Sequence, residues 1–180
     1  MLQASIIYNK MKLIPSYNQY FIPYSNALRV YTLNLGDDDL VIATTLIGLG
    51  NTHDNLEEHE KSIECFKKAL KIKTYNLGND HEEVADVLVA LANVYEKADN
   101  DPEALDYYAK SVLIYRKIDR GHLNIARSLH LMANVHLRKE NNIEAMHFLT
   151  ECLRIRLLTL SESDEVIGGK LTVNARNLIF

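Results

Sequence analysis

The stretch "VADVLVALANVY", residues 84–95, decides the fold once two others are laid beside it: "IATTLIGLGNTH" at 42–53 and "IARSLHLMANVH" at 125–136. Ala43, Ala85 and Ala126 fall in register, as do Leu46, Leu88 and Leu129. So do the larger Leu49, Leu91 and Met132, the small Gly50, Ala92 and Ala133, and the polar Asn51, Asn93 and Asn134. The copies stand 42 and then 41 residues apart, and within each the apolar residues recur at three and four, the period of a helix with one buried stripe.

A second helical pattern recurs behind the first. Its small residues are Ser62, Ala104 and Ala145, then Ala69, Ser111 and Cys152. Its large ones are Ile63, Leu105 and Met146; Phe66, Tyr108 and Leu149; Leu70, Val112 and Leu153; and Ile72, Ile114 and Ile155. Each unit is therefore an antiparallel pair of helices, A then B, in which small residues allow close approach and large ones fill the space up to the next pair. One pair cannot bury its own stripes, so neighbours must stack. The reading is an all-α solenoid, one domain over 1–180, with units at 35–76, 77–118 and 119–159.

Local signals fit these limits. Asp80 with Glu83 reads as a capping box opening helix A of the second unit, and Asp101 with Pro102 as the N-cap and first-turn proline of its helix B. Gly121 marks the shortened turn before the third unit. Because "ALRVYTLNLGDDD" from Ala27 repeats "ALKIKTYNLGNDH" from Ala69, residues 20–34 read as the B helix of an earlier unit over 1–34, with a worn A helix at 2–12. After Leu160 another A helix is expected, capped by Asp164 and weakened by Gly168 and Gly169, so that 160–180 reads as an unfinished unit. Such an end predicts either a piece of a longer solenoid or self-association through the unfinished repeat.

Composition suits this: 47% hydrophobic and 24% charged residues leave a soluble core-forming chain, and seven glycines and three prolines leave little for a loop-rich β fold. Two cysteines, Cys65 and Cys152, are too few for a disulfide framework and read as reduced thiols. The N-terminus lacks the pattern of a signal peptide, and no stretch nears the roughly 20 apolar residues of a membrane span. A cytoplasmic protein without membrane insertion is expected. The net charge of -4 argues against a nucleic-acid partner.

The segment Leu91–Tyr95 with Ala104, Tyr108 and Ser111 resembles the tetratricopeptide repeat (TPR). So do Leu49, Gly50, His53, Ser62, Phe66 and Ala69 in the first unit, and Met132, Ala133, His136, Ala145, Leu149 and Cys152 in the third. The 42-residue period, with "LGNDH" at 77–81 between units, is similar to the long kinesin-light-chain type. The resemblance implies a right-handed superhelix whose A helices line a concave groove for a peptide or protein segment. Carried over by position, the groove residues are Thr44, Ile47, Asn51, Asp54 and Asn55; Asp86, Val89, Asn93, Glu96 and Lys97; and Arg127, His130, Asn134, Leu137 and Arg138. Two compatible readings stand for the repeated asparagine. Its amide can donate to and accept from a bound backbone, or it makes local hydrogen bonds that hold the helices in register.

No catalytic, metal or cofactor residues are expected. His53 and His136 sit where the family has tyrosine and read as packed core, and no His-Glu-x-x-His or Cys-x-x-Cys spacing occurs. "IGGKLT" at 167–172 lacks the residues of a phosphate loop. Only Arg127 and Arg138 are basic where a carboxylate clamp would need cations. The expected function is thus a non-catalytic protein-interaction scaffold, against two alternatives: a regulatory TPR portion of a larger enzyme or signalling protein, or an RNA-binding helical repeat. The groove charges are expected to run from Asp54 in the first unit to Arg127, His130 and Arg138 in the third.

Overall fold

The computed structural model describes residues 22–119 and 123–167. Among them are seven helices: α1 Ile22–Leu35, α2 Leu40–Asn55, α3 His59–Leu77, α4 Glu82–Lys97, α5 Asp101–Ile118, α6 Leu123–Arg138 and α7 Asn142–Ile167. The helices pack as the pairs α2/α3, α4/α5 and α6/α7, and α3 packs on α4 as α5 does on α6. Helix α1, within the stretch read as a B helix, lies on α2. The A helix expected at 2–12, Gly121 and residues 168–180 lie outside the described residues.

The small positions do what their spacing predicts. Ala92, Ala104, Ala133, Ala145 and Ser62 have no exposed surface. A Cβ on Gly50 would stand 3.0 Å from the Phe66 ring, so α2 and α3 approach as closely as their backbones allow. Two polar atoms buried at the crossings are satisfied across them: Ser62 Oγ donates to Gly50 O at 2.8 Å, and Cys152 Sγ to Ala126 O at 3.1 Å. Between units, Ser111 and Ser128 place their hydroxyl oxygens 3.1 Å apart. His53 is buried, and His136 stacks on Phe148 at 5.4 Å just as Tyr95 stacks on Tyr107 at 5.4 Å. Both histidines are therefore packed side chains, as read from the sequence.

Each A–B turn is built the same way. Glu57, Asp99 and Glu140 take positive φ of 60°, 55° and 61°. In each turn the amide one residue further on donates back five residues, Glu58 to His53, Asn100 to Tyr95 and Asn141 to His136, all at 2.9 Å. These are Schellman closures, made without the glycine that normally signals them.

Two caps differ from the expectation. Helix α4 is capped by His81, whose ring accepts from Glu83 N at 3.2 Å, just as Asp39 caps α2 by accepting from Val41 N at 2.7 Å. The helix starts one residue later than the capping-box spacing implied, which turns Asp80 outward to Lys117 at 2.6 Å. Asp101 is the first residue of α5, not its cap; the N-cap is Asn100, which makes no side-chain capping bond. At the other end, no turn follows Leu160. Helix α7 runs unbroken through Asp164 to Ile167, because neither glycine nor proline falls between 142 and 167 and serine or aspartate within a helix costs only a few tenths of a kcal/mol.

Candidate functional site

The residues assigned to the groove fall into three groups. Thr44, Asn51, Asn55, Asp86, Lys97, Arg127, His130, Asn134, Leu137 and Arg138 are exposed; Ile47, Asp54, Asn93 and Glu96 are half-buried; Val89 is 6% exposed and belongs to the core. Val89 faces inward because it lies beside Leu88 on a helix covered from both sides by neighbouring units. Position-by-position transfer from the family missed this. Asn51, Asp54, Asn93, Glu96, Lys97 and Arg138 line a single cleft of about 290 Å³, floored by Phe66, Ala90 and Val94. The cleft thus crosses all three A helices.

Most of its charges are matched internally, from one unit to the next. Lys97 Nζ donates to Asp54 Oδ2 at 2.5 Å, and Arg138 reaches back to Glu96 at 3.4 Å. Arg138 also bonds Asp101, with Lys139 at 3.1 Å from the other oxygen of that carboxylate. Two acids of the expected run, Asp54 and Glu96, are thus each clamped by a cation about one period later. Asp86 accepts from Tyr115 OH at 2.6 Å. Burial first, and then that bond to the Asp86 carboxylate, push the tyrosine hydroxyl well above its ordinary pKa. What stays open lies at the third unit: Arg127 and His130 are exposed, and Arg127 makes no ion pair among the described residues.

The three asparagines are not equivalent. The Tyr108 hydroxyl stands 2.5 Å from the Asn93 side-chain oxygen and 2.9 Å from Glu96 Oε2. One hydroxyl proton cannot serve both acceptors fully. Turning the Asn93 amide over would let its NH2 donate to the hydroxyl while the hydroxyl donates to Glu96, an orientation chosen by the bonding pattern. Either way Asn93 is pinned to helix B of its own unit. At the matching places the first unit has Phe66 and the third Leu149, which have no hydroxyl. Asn51 and Asn134 are accordingly exposed and make no side-chain hydrogen bond among the described residues. Tyr108 was missed as a cleft residue because the sequence pattern marks it as core, and it is fully buried. Its hydroxyl lies beneath the cleft, bonded to Asn93 and Glu96 of the lining.

Asp101 is the other residue the sequence placed in a different role. Burial pushes its carboxyl up, but hydrogen bonds from Lys139 and Arg138 outweigh this, so it titrates below the ordinary range. A carboxyl with a depressed folded-state pKa adds stability that is present above the unfolded value of about 3.9 and disappears as pH falls through the folded one. Asp101→Asn should cost on the order of 1 kcal/mol at neutral pH, since both cations are partly exposed. It should also flatten the loss of stability below about pH 4. Urea titrations of both proteins between pH 2 and 7 would measure this, and parallel curves would refute it.

Among the described residues no three His, Cys, Asp or Glu side chains converge as a metal site requires, and no helix is long and apolar enough to cross a membrane. The tetratricopeptide-repeat family model matches residues 55–117 and 83–157, together more than half of the chain. No curated protein sequence matches it significantly. Among solved structures, BtubC (BKLC) from P. vanneervenii superposes with a TM-score of 0.71 at 18% identity, over 76% of this chain and 55% of that one. Kinesin light chain TPR-like repeats from Podosopora anserina give 0.69 at 16%, over 88% and 76%. MamA gives 0.57 at 18%, over 76% and 68%. The chain thus spans little more than half of BtubC, and at these identities the likeness is one of fold. Three stacked helix pairs, the repeated small positions at their crossings and the family match agree: the chain belongs to the tetratricopeptide-repeat family.

Proposed function

We propose that the chain is a non-catalytic interaction module, acting inside the cell, that holds an extended protein segment along its A helices. The observation that carries this is the state of the asparagines. Asn51, in the lining of the cleft, and Asn134, at the same position of the third A helix, both keep whole amides free beside charges that are largely matched. Neighbouring helices pack 8–10 Å apart, so with α4 between α2 and α6 the two amides stand on the order of 20 Å apart, about six residues of extended chain. An amide that donates and accepts at each end suits a backbone, whose groups recur whatever the sequence. Arg127 and His130 at the third unit add a preference for an acidic side chain at that end.

The test begins with selection of a binding peptide from a library of extended segments by the purified chain. Asn51→Ala with Asn134→Ala should then weaken that peptide about tenfold or more, since two net hydrogen bonds are each worth roughly 0.5–1.5 kcal/mol. Its melting temperature should not change. Undiminished affinity would rule out the backbone contacts. A fall in melting temperature would instead assign the asparagines to helix register.

A further inference from the structure

Helix α7 carries a second surface, on the side away from the rest of the solenoid. Ile143 is 85% exposed, Met146 68% and Leu153 58%. With Thr150, exposed, and Leu157, half-buried, they are spaced three, four, three and four, the seam of a helix that packs against another helix. The stripe is about 21 Å long. On the inner units the same positions are occupied by the half-buried Ile63 and Leu105, and by Leu70 and Val112. There they are covered by α4 and α6, the A helices of the following units. The α7 face therefore continues an interface the molecule already makes twice, and that interface takes a helix.

Two features separate this face from the inner ones. Where the inner units place Asp54 and Glu96, whose carboxylates clamp Lys97 and Arg138 of the following unit, the third unit has Leu137, 45% exposed. Where the second unit has Asp101 and the first His59, it has Asn142. The acids that would clamp a further unit of the same kind are missing. The stripe also reaches further: Ile143 stands in place of Pro102 and Glu60, and Leu157 in place of Arg116 and Thr74. The face is apolar, longer than an inner one, and without a charged lock.

We infer that α7 is a self-association surface, which pairs antiparallel with α7 of a second copy about a two-fold axis near Thr150. Such a pair sets Ile143 across from Leu157 of the other copy and Met146 beside its Leu153. It also brings Arg154 alongside Glu144 of the other copy. The interface is isologous and closes at two. Its length puts it at the small end of specific interfaces, which makes the dimer reversible and concentration-dependent. It is separate from the peptide cleft, so a dimer presents two clefts.

Sedimentation of the full chain over a concentration series tests it. A monomer–dimer equilibrium is expected, and Met146→Glu with Leu153→Glu should raise its dissociation constant about tenfold or more. Helix content should be unchanged, since both side chains are exposed. A strict monomer at every concentration would overturn the proposal and leave the face to residues 168–180 of the same chain or to another protein. Growth past two copies, or a dimer that ignores the double substitution, would overturn it equally. Thr150→Cys gives a second readout that needs no destabilising change. Oxidation should yield a covalent dimer not formed by the parent, whose Cys65 is half-buried and Cys152 buried. A monomer under oxidation would count against the two-fold.

Discussion

Tyr108→Ala is expected to lower the unfolding free energy by about 3–5 kcal/mol, the usual cost of emptying a fully buried aromatic site. The ring has no exposed surface and fills the place that Phe66 and Leu149 fill in the other units, so its loss leaves a cavity that neighbours on rigid helices cannot close. Tyr108→Phe separates ring from hydroxyl. It keeps the packing and removes only the bonds to Asn93 and Glu96, for an expected loss of about 1–3 kcal/mol, the cost of leaving half-buried acceptors without a donor. The second unit would then match the first, a phenylalanine beneath an asparagine, and Asn93 would be released to the cleft. A peptide bound through Asn51 and Asn134 should gain affinity from that release even as the fold loses stability. Denaturant unfolding and peptide titration on the same variant read the two effects separately. Loss of both together would mean that Asn93 needs Tyr108 to face the cleft at all.

The contrast between Tyr108 and its counterparts also shows why the sequence disclosed the fold more fully than the site. Packing positions repeat because each unit is the next one's core, so three copies of Ala43, Ala85 and Ala126 restate one steric requirement. The cleft has no such redundancy. Thr44, Asp86 and Arg127 share one position and carry no charge, a negative charge and a positive charge. The third asparagine-bearing helix looks like the second until the residue fifteen places later is read as Tyr or Leu. The clamps are legible in principle: Asp54 precedes Lys97 by 43 residues and Glu96 precedes Arg138 by 42, so acid and base recur at a spacing near the period. The A–B turns were not. Glu57, Asp99 and Glu140 adopt a conformation that glycine usually announces, and nothing in an acidic side chain signals it. Tertiary closure by three identical Schellman motifs imposes it. The end of α7 was misjudged for a related reason. The period predicted a turn after Leu160, but a period constrains the chain only where a neighbouring unit packs against it.

The same one-dimensional logic makes Leu91→Ala the most informative single core change. Leu91 is fully buried in the middle unit, whereas its counterparts Leu49 and Met132 are 5% and 8% exposed. Truncating it should cost about 2–5 kcal/mol by lost burial and the cavity left behind. In a stack whose stability is a sum of unit and nearest-neighbour terms, where the loss falls matters as much as its size. Weakening the middle unit weakens both interfaces, α3 on α4 and α5 on α6, so the outer units can no longer support one another. Leu91→Ala should therefore broaden the denaturant transition and lower its slope, as the chain ceases to unfold as one. Leu49→Ala removes the same atoms from the first unit and has only one following interface to weaken. It should fray α1 to α3 while α4 to α7 keep a cooperative transition near the parent's midpoint. Amide hydrogen exchange resolves the two cases by unit: protection lost across all three pairs for Leu91→Ala, and confined to α1, α2 and α3 for Leu49→Ala. Equal, chain-wide loss from both substitutions would show that the stack behaves as a single globular core, and the additive account of its stability would have to be given up.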